Sequence, residues 1–172
     1  MKKAVKKTDL KLLFEFVKNC KRSDREIAKL VGVSQPTITR KRAKLVETGL
    51  IRQFTAIPSL DKIGYEIAAL TFTNTKTSVG QSPENLKDKE GDWAKKHDAI
   101  VFASAGLGMG MDKVIVSVHK NYTDYQEFLT GLRAYWAEHV NDIRSFILSL
   151  RNGERVTKDF SLASLEKTAE VS

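Results

Sequence analysis

Between Ser23 and Gly49 the sequence writes two helices with only three residues in which to turn from one to the other. Ser23-Asp24-Arg25-Glu26 is a capping box: the Ser23 hydroxyl and the Glu26 carboxylate each satisfy an orphan backbone N–H of the other. The helix it opens carries Ile27, Ala28, Leu30 and Val31 and stops at Gly32, a residue suited to the left-handed position that ends a helix. Ser34 is the next N-cap, Pro36 sits in the first turn where a missing N–H costs nothing, and Gly49 ends the second helix. Two short helices joined by so tight a glycine-containing turn predict a helix-turn-helix. A helix before them opens at Thr8 or Asp9 and carries Leu10, Leu13, Phe14 and Val17 on one face. Ile27, Leu30, Val33, Ile38 and Leu45 are the expected core. After Gly49, the alternation from Leu50 to Ile57, ended by Pro58, predicts a strand, as in a winged helix-turn-helix.

Charge follows the same boundary. Residues 1–60 hold 15 Lys/Arg against 5 Asp/Glu, whereas residues 61–172 hold 14 against 16. The net charge of +8 is therefore carried entirely by the first third, the footprint of a phosphate-binding module beside a near-neutral partner. The second helix of the motif projects Gln35, Thr37, Thr39, Arg40, Lys41, Arg42 and Lys44. Gln pairs with adenine, Arg with guanine, Thr hydroxyls with bases or phosphates, and Lys with the backbone, so this mixture suits a major groove. Gln35, Thr39 and Arg40 are expected at base edges, and Arg25, Lys41, Lys44 and Arg52 at phosphates; Ser23, Ser34 and Thr37 complete the DNA-facing set.

The remaining residues alternate strand and helix patterns. Tyr65–Thr73 reads as a strand, a polar stretch runs from Asn74 to Pro83, and a helical pattern continues to Lys96. Ala99–Ser104 and Val114–His119 read as strands around a glycine-rich turn from Gly106 to Gly110. Asn121 or Thr123 caps a helix carrying Tyr125, Phe128, Leu129, Leu132 and Trp136, and Arg144–Leu150 is a last strand. The order β-α-β-β-α-β is the ferredoxin-like arrangement, so the expected class is α+β. Helices cover one face of such a sheet; burying the other against a second copy gives an isologous dimer. The expected organisation is a winged helix-turn-helix over residues 1–60, a βαββαβ dimerisation and effector-binding domain over 61–152, and a tail over 153–172.

Asp24-Arg25-Glu26-Ile27-Ala28-Lys29-Leu30-Val31-Gly32-Val33-Ser34, then Thr37-Ile38-Thr39-Arg40, Leu45 and Gly49-Leu50-Ile51, closely resembles the leucine-responsive/asparagine regulator (Lrp/AsnC) family. Leu60-Asp61-Lys62-Ile63-Gly64 matches the segment that closes that family's DNA-binding domain, and Asp112, Val114–Val118 and Tyr125–Leu129 fall in its register. The resemblance covers roughly residues 8 to 152. It implies a DNA-binding regulator whose βαββαβ domain dimerises and assembles further, with an amino acid as effector near the central hairpin. Gln35-Pro36 and the hairpin Gly106-Leu107-Gly108-Met109-Gly110-Met111-Asp112 depart from the family pattern. Effector contacts are expected from Gly106, Gly108, Met109, Gly110, Met111 and Asp112, with the methionines against an apolar portion and Asp112 on an ammonium.

Other chemistries find little support. The alternating glycines lie between two strands, whereas a phosphate-binding glycine loop needs a strand-to-helix context, which excludes a nucleotide site of that kind. His97, His119 and His139 are scattered without metal spacing, and the single cysteine, Cys20, excludes an internal disulfide, so no cofactor or metal is expected. No apolar run is long enough to span a bilayer, which leads to a cytoplasmic reading. Two alternatives stay open: an architectural DNA-binding protein with little sequence preference, and a siroheme-decarboxylase-like enzyme on the same scaffold. The second requires a His and Tyr cluster after the second-strand region that this sequence lacks.

Overall fold

The computed structural model describes residues 5–76, 83–151 and 156–167, with the side chains of 83–88 outside that description. The chain divides into two units, Met1–Ile57 with Thr157–Ser172, and Pro58–Val156.

The first unit holds α1 (Lys7–Lys18), α2 (Asp24–Val31) and α3 (Gln35–Glu47). The capping box forms: Ser23 N–H donates to Glu26 Oε2 at 2.7 Å and Glu26 N–H to Ser23 Oγ at 3.3 Å. Hydrogen bonds from Ser23 to the Glu26 carboxylate hold its pKa below the usual range. Gly32 takes φ 78°, which an L side chain adopts only with strain, and lets α3 start at once. Leu12, Phe16, Ile27, Ala28, Val31, Ile38, Leu45 and Ile51 form the core.

Three sequence expectations are corrected here. The α1 face that enters the core is Leu12 and Phe16, one turn apart, with Leu13 beside it; Leu10 and Val17 stay half-buried. Apolar residues stand at 10, 12, 13, 14, 16 and 17, so periodicity alone admits more than one face and the packing against α2 and α3 decides. Leu30 remains 50% exposed. The strand expected over Leu50–Ile57 does not form, because no described residue of this unit offers it a strand to pair with, and an isolated strand cannot satisfy its backbone. Ile51 enters the core instead, and Phe54 packs edge-on against Phe16 at 5.6 Å. The C-terminal segment also joins this unit through a short 3-10 turn, Ala163–Lys167, whose Glu166 pairs with Lys18 of α1 at 2.7 Å.

In the second unit, β1 (Ile67–Thr75), α4 (Pro83–Lys95), β2 (Ile100–Gly108), β3 (Met111–His119), α5 (Tyr122–Trp136) and β4 (Val140–Ser149) follow in order. The polar stretch after β1 falls largely outside the described residues, as does part of the tail. The sheet order is β2-β3-β1-β4 with every pair antiparallel, the ferredoxin-like arrangement. Asn121 caps α5, its Oδ1 accepting from Asp124 N–H at 2.9 Å. Strand alternation assigns Ala69, Thr71 and Thr73 to the helix-covered face, where Ala69 packs with Trp93, Tyr125, Leu129, Leu132 and Trp136.

On the other face the register sets Phe102, Val116, Leu70 and Phe146 in one row across all four strands. Phe102 is 55% and Phe146 63% exposed.

The glycine-rich segment is more regular than its composition suggests. After an irregularity between Ala105 and Gly108, strand pairing resumes at Gly108 and Met111, leaving Met109-Gly110 as a two-residue turn with φ 54° and 71°. Positive φ at both positions is what a type I′ hairpin needs. The expected turn over Gly106–Gly110 is therefore shortened to two residues.

His119 is fully buried beside Tyr125 and Phe128, with Nε2 2.8 Å from the Ser117 hydroxyl. Burial lowers its pKa; Asp124, 3.9 Å from Nδ1, opposes this more weakly. Below about pH 6.5 the unfolded chain takes up a proton that the folded chain refuses. The neutral ring's contribution is thus present above that pH and lost as pH falls through it. Thermal melts at pH 7.5 and 5.5 should show a larger drop for the wild-type protein than for His119→Asn; equal drops would refute the assignment.

Candidate nucleic-acid interface

The exposed side of α3 follows from helical spacing. Ile38 and Leu45, both nearly inaccessible, define its inner face. The opposite stripe, at i, i+4 and i+7, is Pro36, Arg40 and Ala43, flanked by Gln35 and Lys44; all five are exposed. Arg40, Lys44, Arg25 and Arg52 form no ion pair or side-chain hydrogen bond with any described residue. Four cations are therefore presented to solvent within one three-helix unit. At the start of α3 the hydroxyls of Ser34 and Thr37 lie 2.8 Å apart and exposed.

Two of the expected contact residues are engaged inside the unit. Lys41 is ion-paired to Asp9 of α1 and is the less accessible for it. The Thr39 hydroxyl donates to Asp24 Oδ2 at 2.6 Å, on α2. Arg42, whose head the sequence alone would send to water, meets Asp24 at 2.6 Å and lies over the Phe16 ring at 4.6 Å. Of the four cations between residues 40 and 44, only Arg40 and Lys44 remain unpaired among the described residues. Ser23 is occupied by its capping box, though exposed.

The sequence reading missed the anions responsible. Asp9 and Asp24 sit in the first turns of α1 and α2, where helix dipoles favour them, and both face α3. Their position near helix starts is a sequence signal; their partners on α3 are not. Ala43 was also missed. It is exposed between Arg40 and Lys44, and a methyl group there suits contact with a thymine methyl.

At the hairpin, Asp112 Oδ2 accepts from Thr75 N–H at 3.1 Å, at the irregularity that ends β1. Gly110 O accepts from Asn74 Nδ2 at 2.6 Å. Met111 is buried, whereas Met109 is 73% exposed. Gly106 and Gly108 lie within β2.

No described helix is long and apolar enough to cross a membrane. A family model described as winged helix-turn-helix DNA-binding matches residues 6–52. A helix-turn-helix-type transcriptional regulator of Pyrococcus furiosus is 29% identical over 150 residues, covering 83% of this chain and 96% of its own. The leucine-responsive regulatory protein of Rhizobium meliloti is 27% identical over 143 residues, covering 81% and 85%. Among solved structures, the transcriptional regulator NMB0573 of Neisseria meningitidis, determined as a complex with L-Met, shares the fold. It matches with a TM-score of 0.73 at 17% identity, over 92% of this chain and 96% of that one. The chain is similar to DNA-binding transcription regulators, the leucine-responsive regulatory protein among them, along most of their length, and it shares the fold of the Neisseria regulator.

Proposed function

We propose that the chain acts as a homodimer, able to assemble further, that reads a two-fold symmetric DNA site through α3 and is tuned by an amino acid. The observation that carries this is the outward stripe of α3, on which Arg40 and Lys44 are free of internal partners while their neighbours are held by Asp9 and Asp24. Gln35 and Arg40 read base edges, with Ala43 against a methyl group. Arg25, Lys44 and Arg52 bind phosphates, and the exposed Ser34 and Thr37 hydroxyls offer a phosphate further donors. Ser23 acts through its cap, while Thr39 and Lys41 orient α3 against α2 and α1. The domain limits 1–60, 61–152 and 153–172 serve as the working division of labour, and no catalytic step is assigned.

The dimer rests on the row Phe102-Val116-Leu70-Phe146, an apolar stripe crossing the whole uncovered face of the sheet. An exposed apolar surface of this kind marks an interface. A two-fold axis through it supplies the symmetric pair of reading heads that half-sites one helical turn apart require. The L-Met complex of the Neisseria regulator supports an amino acid as the effector.

The two kinds of DNA contact separate in binding assays. Arg40→Ala should cost about 1–3 kcal/mol on the preferred site and relax preference at one base pair. Lys44→Ala should weaken binding to all sequences alike and make the salt dependence shallower by about one unit of slope per protomer. If Lys44→Ala alters sequence preference, or Arg40→Ala leaves it intact, the assignments are wrong.

A further inference from the structure

Glu15 of α1 is a carboxylate with no part in the DNA contacts, and it is 8% exposed. A carboxylate so far from water needs a cation or donor for each oxygen. Lys18, one turn on, donates to Oε1 at 3.0 Å, and the Arg22 guanidinium pairs with Oε2. Lys18 is shared: its ammonium also meets Glu166 in the 3-10 turn of the C-terminal segment, which belongs to the same unit as the three helices. Hydrogen bonds to Glu166 and then Glu15 raise the Lys18 pKa above the usual lysine value. Arg22 ends the turn between α1 and α2, its N–H donating to Asn19 O at 3.4 Å, and immediately precedes the Ser23 cap. Its carbonyl accepts from Arg42 Nη2 of α3 at 3.3 Å. Arg42 also meets Asp24, which takes the Thr39 hydroxyl as well. An unbroken chain of ion pairs and hydrogen bonds therefore runs from Glu166 through Glu15 and Arg22 to Arg42 on α3.

We propose that Glu15 is a positioning residue for DNA reading: it holds the Arg22 turn, through that turn Arg42, and so fixes where α3 presents Arg40. The proposal rests on the reading of α3 given above. Thr39 and Arg42 are points at which α3 is pinned to α2 and to the turn, and Arg40 stands between them in the chain, exposed. A guanidinium makes its paired hydrogen bonds to a base edge only in a narrow geometry, so a small displacement of α3 forfeits them. Phosphate contacts tolerate such a shift, because attraction between charges is long-ranged. Glu166 closes the chain at its far end by holding the Lys18 ammonium that serves Glu15 Oε1. Loss of the Glu15 charge therefore reduces discrimination between duplexes rather than overall attachment to DNA.

The test compares full-length proteins on two duplexes: one recovered from a random library by the wild-type chain, and a scrambled duplex of equal length and composition. Glu15→Gln should reduce the ratio of the two affinities about threefold to tenfold, with attachment to the scrambled duplex no weaker. Glu166→Ala, at a more accessible position, should lose part of the same ratio, and Glu166→Asp, which keeps the carboxylate, should retain it. Arg42→Met keeps a stem over the Phe16 ring and removes the charged head. It should lower the ratio by itself, and adding Glu15→Gln to it should lower the ratio no further, since residues of one network do not act additively. Urea denaturation establishes which variants are folded at the assay temperature; where Glu15→Gln is not, Glu166→Ala against Glu166→Asp decides. An unchanged ratio in the deciding variant, or losses that multiply in the double variant, would overturn the proposal. A wild-type chain that recovers no preferred duplex would instead overturn the reading of α3, and the proposal with it.

Discussion

Phe146→Glu, alone or with Phe102→Glu, should convert the protein in solution to a 19.3 kDa monomer and depress its affinity for a two-fold DNA site by about 10²–10⁴-fold. Phe146, on β4, ends a row that reaches across all four strands and is 63% exposed in the single chain. A carboxylate placed there is harmless in the monomer, because water reaches it. In a dimer the same carboxylate loses its water without gaining a partner, which costs several kcal/mol. The DNA effect follows from linkage: two reading heads on one body bind the second half-site at millimolar effective concentration, and separate monomers do not. Phe146→Leu keeps the surface apolar and should remain dimeric. Analytical ultracentrifugation of the three proteins tests this directly, and a dimeric, fully active Phe146→Glu protein would show that the sheet face is not the interface.

Ile38→Ala is expected to unfold the DNA-binding unit under conditions where the wild-type chain is stable. Ile38 is wholly buried in α3, where it packs in the core with Leu12, Phe16, Ile27 and Leu45. Truncating such a side chain costs about 2–5 kcal/mol through lost burial and the cavity left behind. A three-helix unit of this size has little stability to spare, so the loss consumes most of it. Urea denaturation should show an earlier first transition, while the transition of the βαββαβ unit stays in place, and DNA binding should disappear with the first. Arg40→Ala, whose side chain is exposed and unpaired among the described residues, should lose DNA affinity without moving either transition. A single unshifted transition in Ile38→Ala would mean that the core is assigned wrongly.

These two residues also mark what the sequence makes legible. Ile38 could be placed in the core because Ser34, Pro36 and Gly49 fix where α3 starts and stops, and the helical period then gives its inner face. The capping box at Ser23–Glu26 and the left-handed Gly32 were legible for the same reason: they are contacts between residues close in the chain. The order β-α-β-β-α-β was readable from alternation and turn residues. Long-range partners were not. Nothing in the spacing of Arg40, Lys41, Arg42 and Lys44 tells which two will meet Asp9 and Asp24, since that depends on how α1 and α2 cross α3. The missing strand after Gly49 has the same origin, because Leu50–Ile57 alternates well enough locally and fails for want of a neighbour.

The most direct test of the central claim is selection from a random duplex library by the full chain at two salt concentrations, followed by sequencing of the retained DNA. A palindromic consensus enriched at both salts, with half-sites about one helical turn apart, is the predicted result. Retention without any consensus, lost steeply as salt rises, or no retention at either salt, would contradict a site-specific dimeric reader.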